Sequence, residues 1–170
     1  MELLTGLSSD NNRYRLWLHV LNVLIDIGSV VLVAVVLFIA LLNLTIVRGE
    51  SMEPAFHDGD IVACEKTDKL YVDDIIVYKS GRIHCIKRIV AVGGDIVSYD
   101  NGKIYVNGID LGYKTYIENA GILADGRYKV PDNEFFCIGD NINYSEDSRK
   151  IGAVSQDMIK CRVKKILFHI

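Results

Sequence analysis

Three residues of this chain could be joined into one reaction. They are Ser51 in Gly49-Glu50-Ser51-Met52-Glu53-Pro54, Lys87 in His84-Cys85-Ile86-Lys87-Arg88-Ile89-Val90, and Ser145 in the polar run 139–149. A serine hydroxyl is a weak nucleophile until a neighbouring base takes its proton, and a lysine is a base only when neutral. Burial provides that condition, because taking an ammonium out of water penalises the charged form and depresses its pKa. Lys87 and Arg88 interrupt an apolar, β-branched stretch. A strand alternates faces, so one of the two must point toward the buried side. Ser145 would then hydrogen-bond the amine and aim it. Each residue also has a plainer reading: a linker serine, an edge-strand lysine with its head in water, and a turn serine.

The elements around these residues limit where they can stand. Pro54 locks its own φ and disfavours helix at Glu53, which puts Ser51 on a turn or an extended piece. Upstream, residues 27–47 carry no charge. As a helix this run is roughly 32 Å long, enough to cross a hydrocarbon core. It is longer than the apolar core of a cleavable signal peptide and starts far from Met1, so the expectation is an uncleaved transmembrane anchor over 27–47. Residues 1–12 read as a flexible lead. Residues 14–26 read as an amphipathic stretch, with Arg13, Tyr14, Arg15 and Trp17 as interfacial anchors. Arg13 and Arg15 on one side balance Arg48 and Lys66 on the other, so charge alone does not set the orientation.

Beyond Pro54 the pattern is that of strands, with β-branched runs at 60–66, 74–80, 82–92, 134–139 and 158–168. Asn101-Gly102 and Asn107-Gly108 are hairpin signals. The expected organisation is an N-terminal segment with its anchor, 1–47, followed by a domain over 48–170. That domain should be mainly β, a barrel-like, folded antiparallel sheet.

Composition excludes some classes. A formal net charge of -3 without a basic stripe argues against nucleic acid as a partner. Cys64, Cys85, Cys137 and Cys161 form no close pairs of the zinc or redox kind. They leave two options, one or two disulfides or buried free thiols. Asp140 and Asp147 lack the ligand spacing of a calcium loop. A triad of Ser51, His57 and Asp58 would have to converge within one short segment.

Taken in order, four blocks resemble those of type I signal peptidases, the membrane-bound serine/lysine endopeptidases of protein export. Gly49-Glu50-Ser51-Met52-Glu53-Pro54 is similar to the nucleophile block, and Asp73-Asp74-Ile75-Ile76-Val77-Tyr78 to a strand block. Ile86-Lys87-Arg88-Ile89-Val90-Ala91-Val92-Gly93-Gly94-Asp95 is similar to the base block. Residues 139–149 are similar to the last block. The resemblance implies Ser51 as nucleophile and Lys87 as base, supported by Ser145, Asp147 and Arg149. Gly49 stands where some members carry a hydroxyl residue that completes the oxyanion hole, which leaves that hole to backbone donors, chiefly the Ser51 N–H. Ala55, Ala91, Gly93 and Ile142 depart from the usual pattern without removing a reacting group.

The resemblance further implies no cofactor and no metal. Its substrates would be the signal peptides of exported preproteins, bound as an added β-strand and cut after small residues, with Met52 and Ile86 lining the pockets. The lipid bilayer would be a partner and the export translocon a candidate one. The chain would be a single-pass protein of the plasma membrane with its β domain outside the cytoplasm. Two other readings stand beside it: a related Ser/Lys peptidase with a narrow client, such as one of conjugation or pilus maturation, and a non-enzymatic export accessory.

Overall fold

A computed structural model describes residues 3–41, 43–115, 119–124 and 126–169. The chain divides into two units, residues 1–42 and 43–170. Residues 1, 2 and 42 of the expected lead and anchor lie outside the described residues.

The first unit is one helix, α1 (Leu3–Leu41). Within it Tyr14–Phe38 is long and apolar enough to cross a bilayer, with an 18-residue window that reaches a mean hydropathy of 2.6. Its Leu, Val, Ile and Phe side chains are exposed all round. A helix apolar on every face requires an apolar surrounding, which a membrane supplies. The stretch long and apolar enough to cross a bilayer thus begins earlier than the expected 27 and takes in 14–26, because one continuous helix carries Asp26 without a break. The expected flexible lead is helical from Leu3.

The helix also ends earlier than expected. From Asn43 to Ile46 the chain is strand β1, not helix. Asn, Thr and Ile are mediocre helix formers, and the β-branched pair fits a pleated surface. β1 pairs antiparallel with β2 (Ile61–Glu65), Asn43 opposite Cys64 and Ile46 opposite Ile61.

The second unit is mainly β and antiparallel. Its strands continue as β3 (Ile75–Ser80), β4 (Ile83–Val92), β5 (Ile96–Asp100), β6 (Lys103–Val106), β7 (Ile109–Lys114), β8 (Arg127–Lys129), β9 (Glu134–Ile138), β10 (Val154–Ser155) and β11 (Ile159–Phe168). A four-residue helix, α2 (Ser148–Ile151), precedes β10. One sheet has the order β1-β2-β11-β3-β4-β9-β10 and the other β7-β6-β5-β8. Both Asn-Gly pairs make hairpin turns: Asn101 and Gly102 have φ of 47° and 81°, Asn107 and Gly108 of 51° and 82°. Positive φ at both central residues gives the turn whose twist matches its strands.

The large sheet is folded over rather than closed. β1 and β4 stand four places apart in its order, yet both line one groove. One apolar cluster, Val47, Met52, Phe56, Val62, Val77, Ile86 and Cys161, packs inside this fold. A second joins the two sheets through Ala91, Val97, Ile104, Phe136 and Ile138. The four cysteines are free thiols, Cys137 and Cys161 buried as small apolar groups.

Phe136 on β9 is fully buried in the second cluster. Phe136→Ala is expected to lower stability by about 3–5 kcal/mol through lost burial and the cavity left behind. Urea unfolding followed by tyrosine fluorescence measures it.

Candidate active site

Ser51 lies on the turn after β1. The Glu53 N–H donates to the Glu50 carbonyl at 3.2 Å and the Phe56 N–H to the Met52 carbonyl at 3.0 Å, closing successive turns around it. Gly49 has φ of 80°, a left-handed backbone that favours glycine, and its N–H donates to Asp58 Oδ1 at 2.7 Å. Asp58 is therefore committed to this turn and takes no part in a triad with Ser51. Beneath the turn, Met52 is fully buried in the apolar cluster and does not line the groove. It holds the turn down, which corrects the expectation of Met52 as a pocket residue. Ile86 both packs in that cluster and lines the groove.

Lys87 comes from the middle of β4, opposite Ile76 of β3. Of the adjacent cationic pair, Lys87 is the buried member, only 4% exposed. Arg88 takes the other face and forms a two-pronged pair with Asp140, Nε to Oδ1 at 2.8 Å and Nη2 to Oδ2 at 2.7 Å. Lys87 Nζ lies 2.7 Å from Ser51 Oγ and donates to the Ile86 carbonyl at 3.0 Å. Burial is the largest influence on the amine and holds its pKa below the ordinary lysine value; the charge of Asp147 opposes that and Arg149 reinforces it. A neutral amine can keep one N–H on Ile86 and turn its lone pair to the Ser51 hydroxyl.

The run 139–149 supports this pair from the far side. Asp147 and Arg149 are both buried, at 0% and 1% exposure. Arg149 Nε donates to Asp147 Oδ1 and Nη2 to Oδ2, each at 2.8 Å. Nη2 also donates to the Ile142 carbonyl at 2.6 Å and the Ser145 carbonyl at 3.2 Å, and Nη1 to the Asn119 carbonyl at 3.1 Å. The guanidinium thereby ties the 142–145 turn to the loop at Asn119. Asp147 Oδ2 accepts from the Gly139 N–H at 3.1 Å.

Two residues that sequence reasoning passed over let this run close onto the nucleophile turn. The Asn141 N–H donates to the Ser51 carbonyl at 3.1 Å, and Asn141 Nδ2 to the Glu50 carbonyl at 3.0 Å. Asn141 stood inside the last block, but its type gave no reason to separate it from a turn residue. Gly139 is the second: a Cβ there would collide with Ser145 Oγ and the Ser51 carbonyl. Ser145 Oγ itself is buried and makes no hydrogen bond among the described residues. The expected contact from Ser145 to the lysine amine is absent from the observed hydrogen bonds.

A groove of about 640 Å³ opens over Ser51 and Lys87, lined by Thr45, Ile46, Ile83, His84 and Ile86 among others. Two strand edges face it. β1 pairs on one side only, and β4 pairs with β9 only from Arg88 onward, leaving its first half free on that side. Among the described residues the Ser51 N–H has no acceptor, so it remains available to a developing oxyanion.

The lowered Lys87 pKa has a consequence for stability. The folded chain holds fewer protons than the unfolded chain between the folded value and the ordinary 10.5, so this group's penalty is full at lower pH and fades as pH rises through that window. Lys87→Met is expected to be more stable than the parent at neutral pH, with the difference shrinking toward pH 10.5. Thermal unfolding of both proteins across that range checks it. Gly139→Ala is expected to push Ser145 and Ser51 apart and to lower stability by about 1–3 kcal/mol; the same unfolding measurement at one pH reads it.

Residues 20–168 match the family described as Signal peptidase, peptidase S26. Signal peptidase I of Bacillus amyloliquefaciens is 31% identical to this chain over an alignment that covers 86% of this chain and 89% of that protein. Signal peptidase I S of Bacillus subtilis strain 168 is 33% identical, covering 74% and 78% respectively. Signal peptidase IB of Staphylococcus aureus strain Mu50 is 31% identical, covering 69% and 73%. With a serine and a buried lysine in contact inside the matched region, the chain belongs to the signal peptidase family, peptidase S26, and is a serine endopeptidase.

Proposed function

We propose that this chain is anchored in the plasma membrane by α1 and cleaves signal peptides from exported preproteins with Ser51 as nucleophile and Lys87 as general base. The observation that carries the proposal is the 2.7 Å contact between Lys87 Nζ and Ser51 Oγ with the amine buried. An extended substrate enters the groove and adds to the free edges of β1 and β4. Ile86 lines this groove and is assigned to the pocket that takes the small residues before the cut.

The neutral Lys87 amine takes the Ser51 hydroxyl proton as Oγ attacks the scissile carbonyl carbon. The oxyanion forms against the Ser51 N–H. The resulting ammonium returns its proton to the leaving amine as the C–N bond breaks, leaving a Ser51 ester. Lys87 then takes a proton from water as its oxygen attacks the ester carbon; the C–Oγ bond breaks and the ammonium gives that proton to Ser51 Oγ, releasing the carboxylic acid and restoring both groups. The ammonium has three donors, of which Ser51 and Ile86 occupy two. Ser145, with a buried oxygen lacking a partner, is assigned the third and so aims the charged amine.

Asp147 and Arg149 act through the loop that carries Ser145. The β domain lies on the extracytoplasmic side, where the cleavage site of an exported chain emerges, with lipid and the export translocon as its surroundings. Membrane tethering reduces the search for substrate to the plane of the bilayer.

Ser51→Ala and Lys87→Ala are each expected to lower cleavage of an Ala-x-Ala preprotein by at least about a thousandfold in detergent. Normal processing by either variant refutes the assignment. Activity is expected to rise from neutral toward alkaline pH as Lys87 loses its proton, and a flat profile contradicts a lysine base. Ser145→Ala should weaken cleavage while leaving thermal unfolding unchanged; a parental rate removes its aiming role.

A further inference from the structure

A second group of chemically capable side chains stands outside the groove. His57, on the turn after Ser51, Asp60 at the end of that turn, and His169, next after β11, bring their ligand atoms within 4.8 Å of one another. His169 Nδ1 is 3.1 Å from Asp60 Oδ1. Two ligands of one tetrahedral zinc ion stand roughly 3.4 Å apart, given metal–ligand bonds of about 2.0–2.2 Å. The His57 and His169 rings have centroids 6.3 Å apart and planes at 69°.

The Asp60 carboxylate gives the group its direction. Asp60 is 0% exposed, yet among the described residues no lysine or arginine pairs with it. Oδ2 is occupied by the His57 N–H at 2.9 Å, whereas Oδ1 faces only the His169 imidazole. A buried carboxylate needs a cation, and an imidazole supplies one only when protonated. Both histidines are exposed, so their rings can turn and an ion can enter from solvent.

We propose that His57, Asp60 and His169 bind a divalent cation of the zinc type, with water completing the tetrahedron. Two neutral imidazoles and one carboxylate are a donor set that suits zinc and not calcium or magnesium. The bound ion ties the chain beyond β11 to the turn that follows Ser51. That turn is already joined to the chain two residues before the nucleophile block, the Val47 N–H donating to the Asp60 carbonyl at 2.8 Å and the Gly59 N–H to the Val47 carbonyl at 3.0 Å. The ion is thus a clasp on the scaffold of Ser51 and takes no part in the reaction.

The test uses the full chain in detergent, stripped with a chelator and titrated with zinc chloride by calorimetry and with cobalt(II) by visible absorption. One zinc per chain, the absorption of four-coordinate cobalt, and a higher unfolding temperature on adding zinc are expected. His57→Ala, at an exposed position, should unfold like the metal-free parent; His169→Ala also removes the neighbour of Asp60 Oδ1 and is read by its zinc affinity. Each should bind zinc at least about tenfold more weakly. Absence of saturable binding, or parental affinity in either variant, overturns the proposal.

Discussion

A buried amine kept away from any carboxylate is the constraint on which the structure turns. Lys87 touches the Ser51 hydroxyl and the Ile86 carbonyl and no acid. The charge of Asp147 favours the ammonium, but Arg149 grips both Asp147 oxygens and its own charge pushes the other way. The ion pair of the last block therefore does more than brace a loop. Its cation offsets part of the pull of Asp147 on the amine, while burial remains the largest cause of the lowered Lys87 pKa. A buried pair contributes little net stability against apolar replacements, whereas loss of either partner alone leaves an uncompensated charge. Removing Arg149 would harm the fold and the amine together.

The fold positions the pair by bringing distant chain segments to one place. β4 delivers Lys87, the turn after β1 delivers Ser51, and Asn141 bonds the run 139–149 to that turn at two carbonyls. Met52 and Phe56 hold the turn onto the cluster inside the folded sheet. The free edges of β1 and β4 on either side of the groove leave backbone donors and acceptors exposed at the reacting atoms. An unpaired edge is a hazard in most sheets; at this groove it is where the proposed substrate strand would add.

Much of this was legible in the sequence because it rested on local rules. Alternation and β-branching located β2, β3, β4, β9 and β11, and the two Asn-Gly pairs located the hairpins. The Lys87-Arg88 pair announced that a cation would be buried, although not which. What escaped depended on tertiary contacts. β1 reads as the end of an apolar helix until β2 is available to pair with it. Met52 reads equally as pocket or core. Asn141, Gly139 and the meeting of His57 with His169 depend on partners far away in the chain.

The protonation state of Lys87 tests the account most directly. Selective isotopic labelling of lysine side chains, with Lys87→Arg to assign the signal, allows the Lys87 pKa to be followed by nuclear magnetic resonance in the resting protein. The account predicts titration well below the ordinary lysine value of 10.5. Titration at or above that value would mean that the amine is an ordinary cation, and the Ser51–Lys87 pair could not begin the reaction.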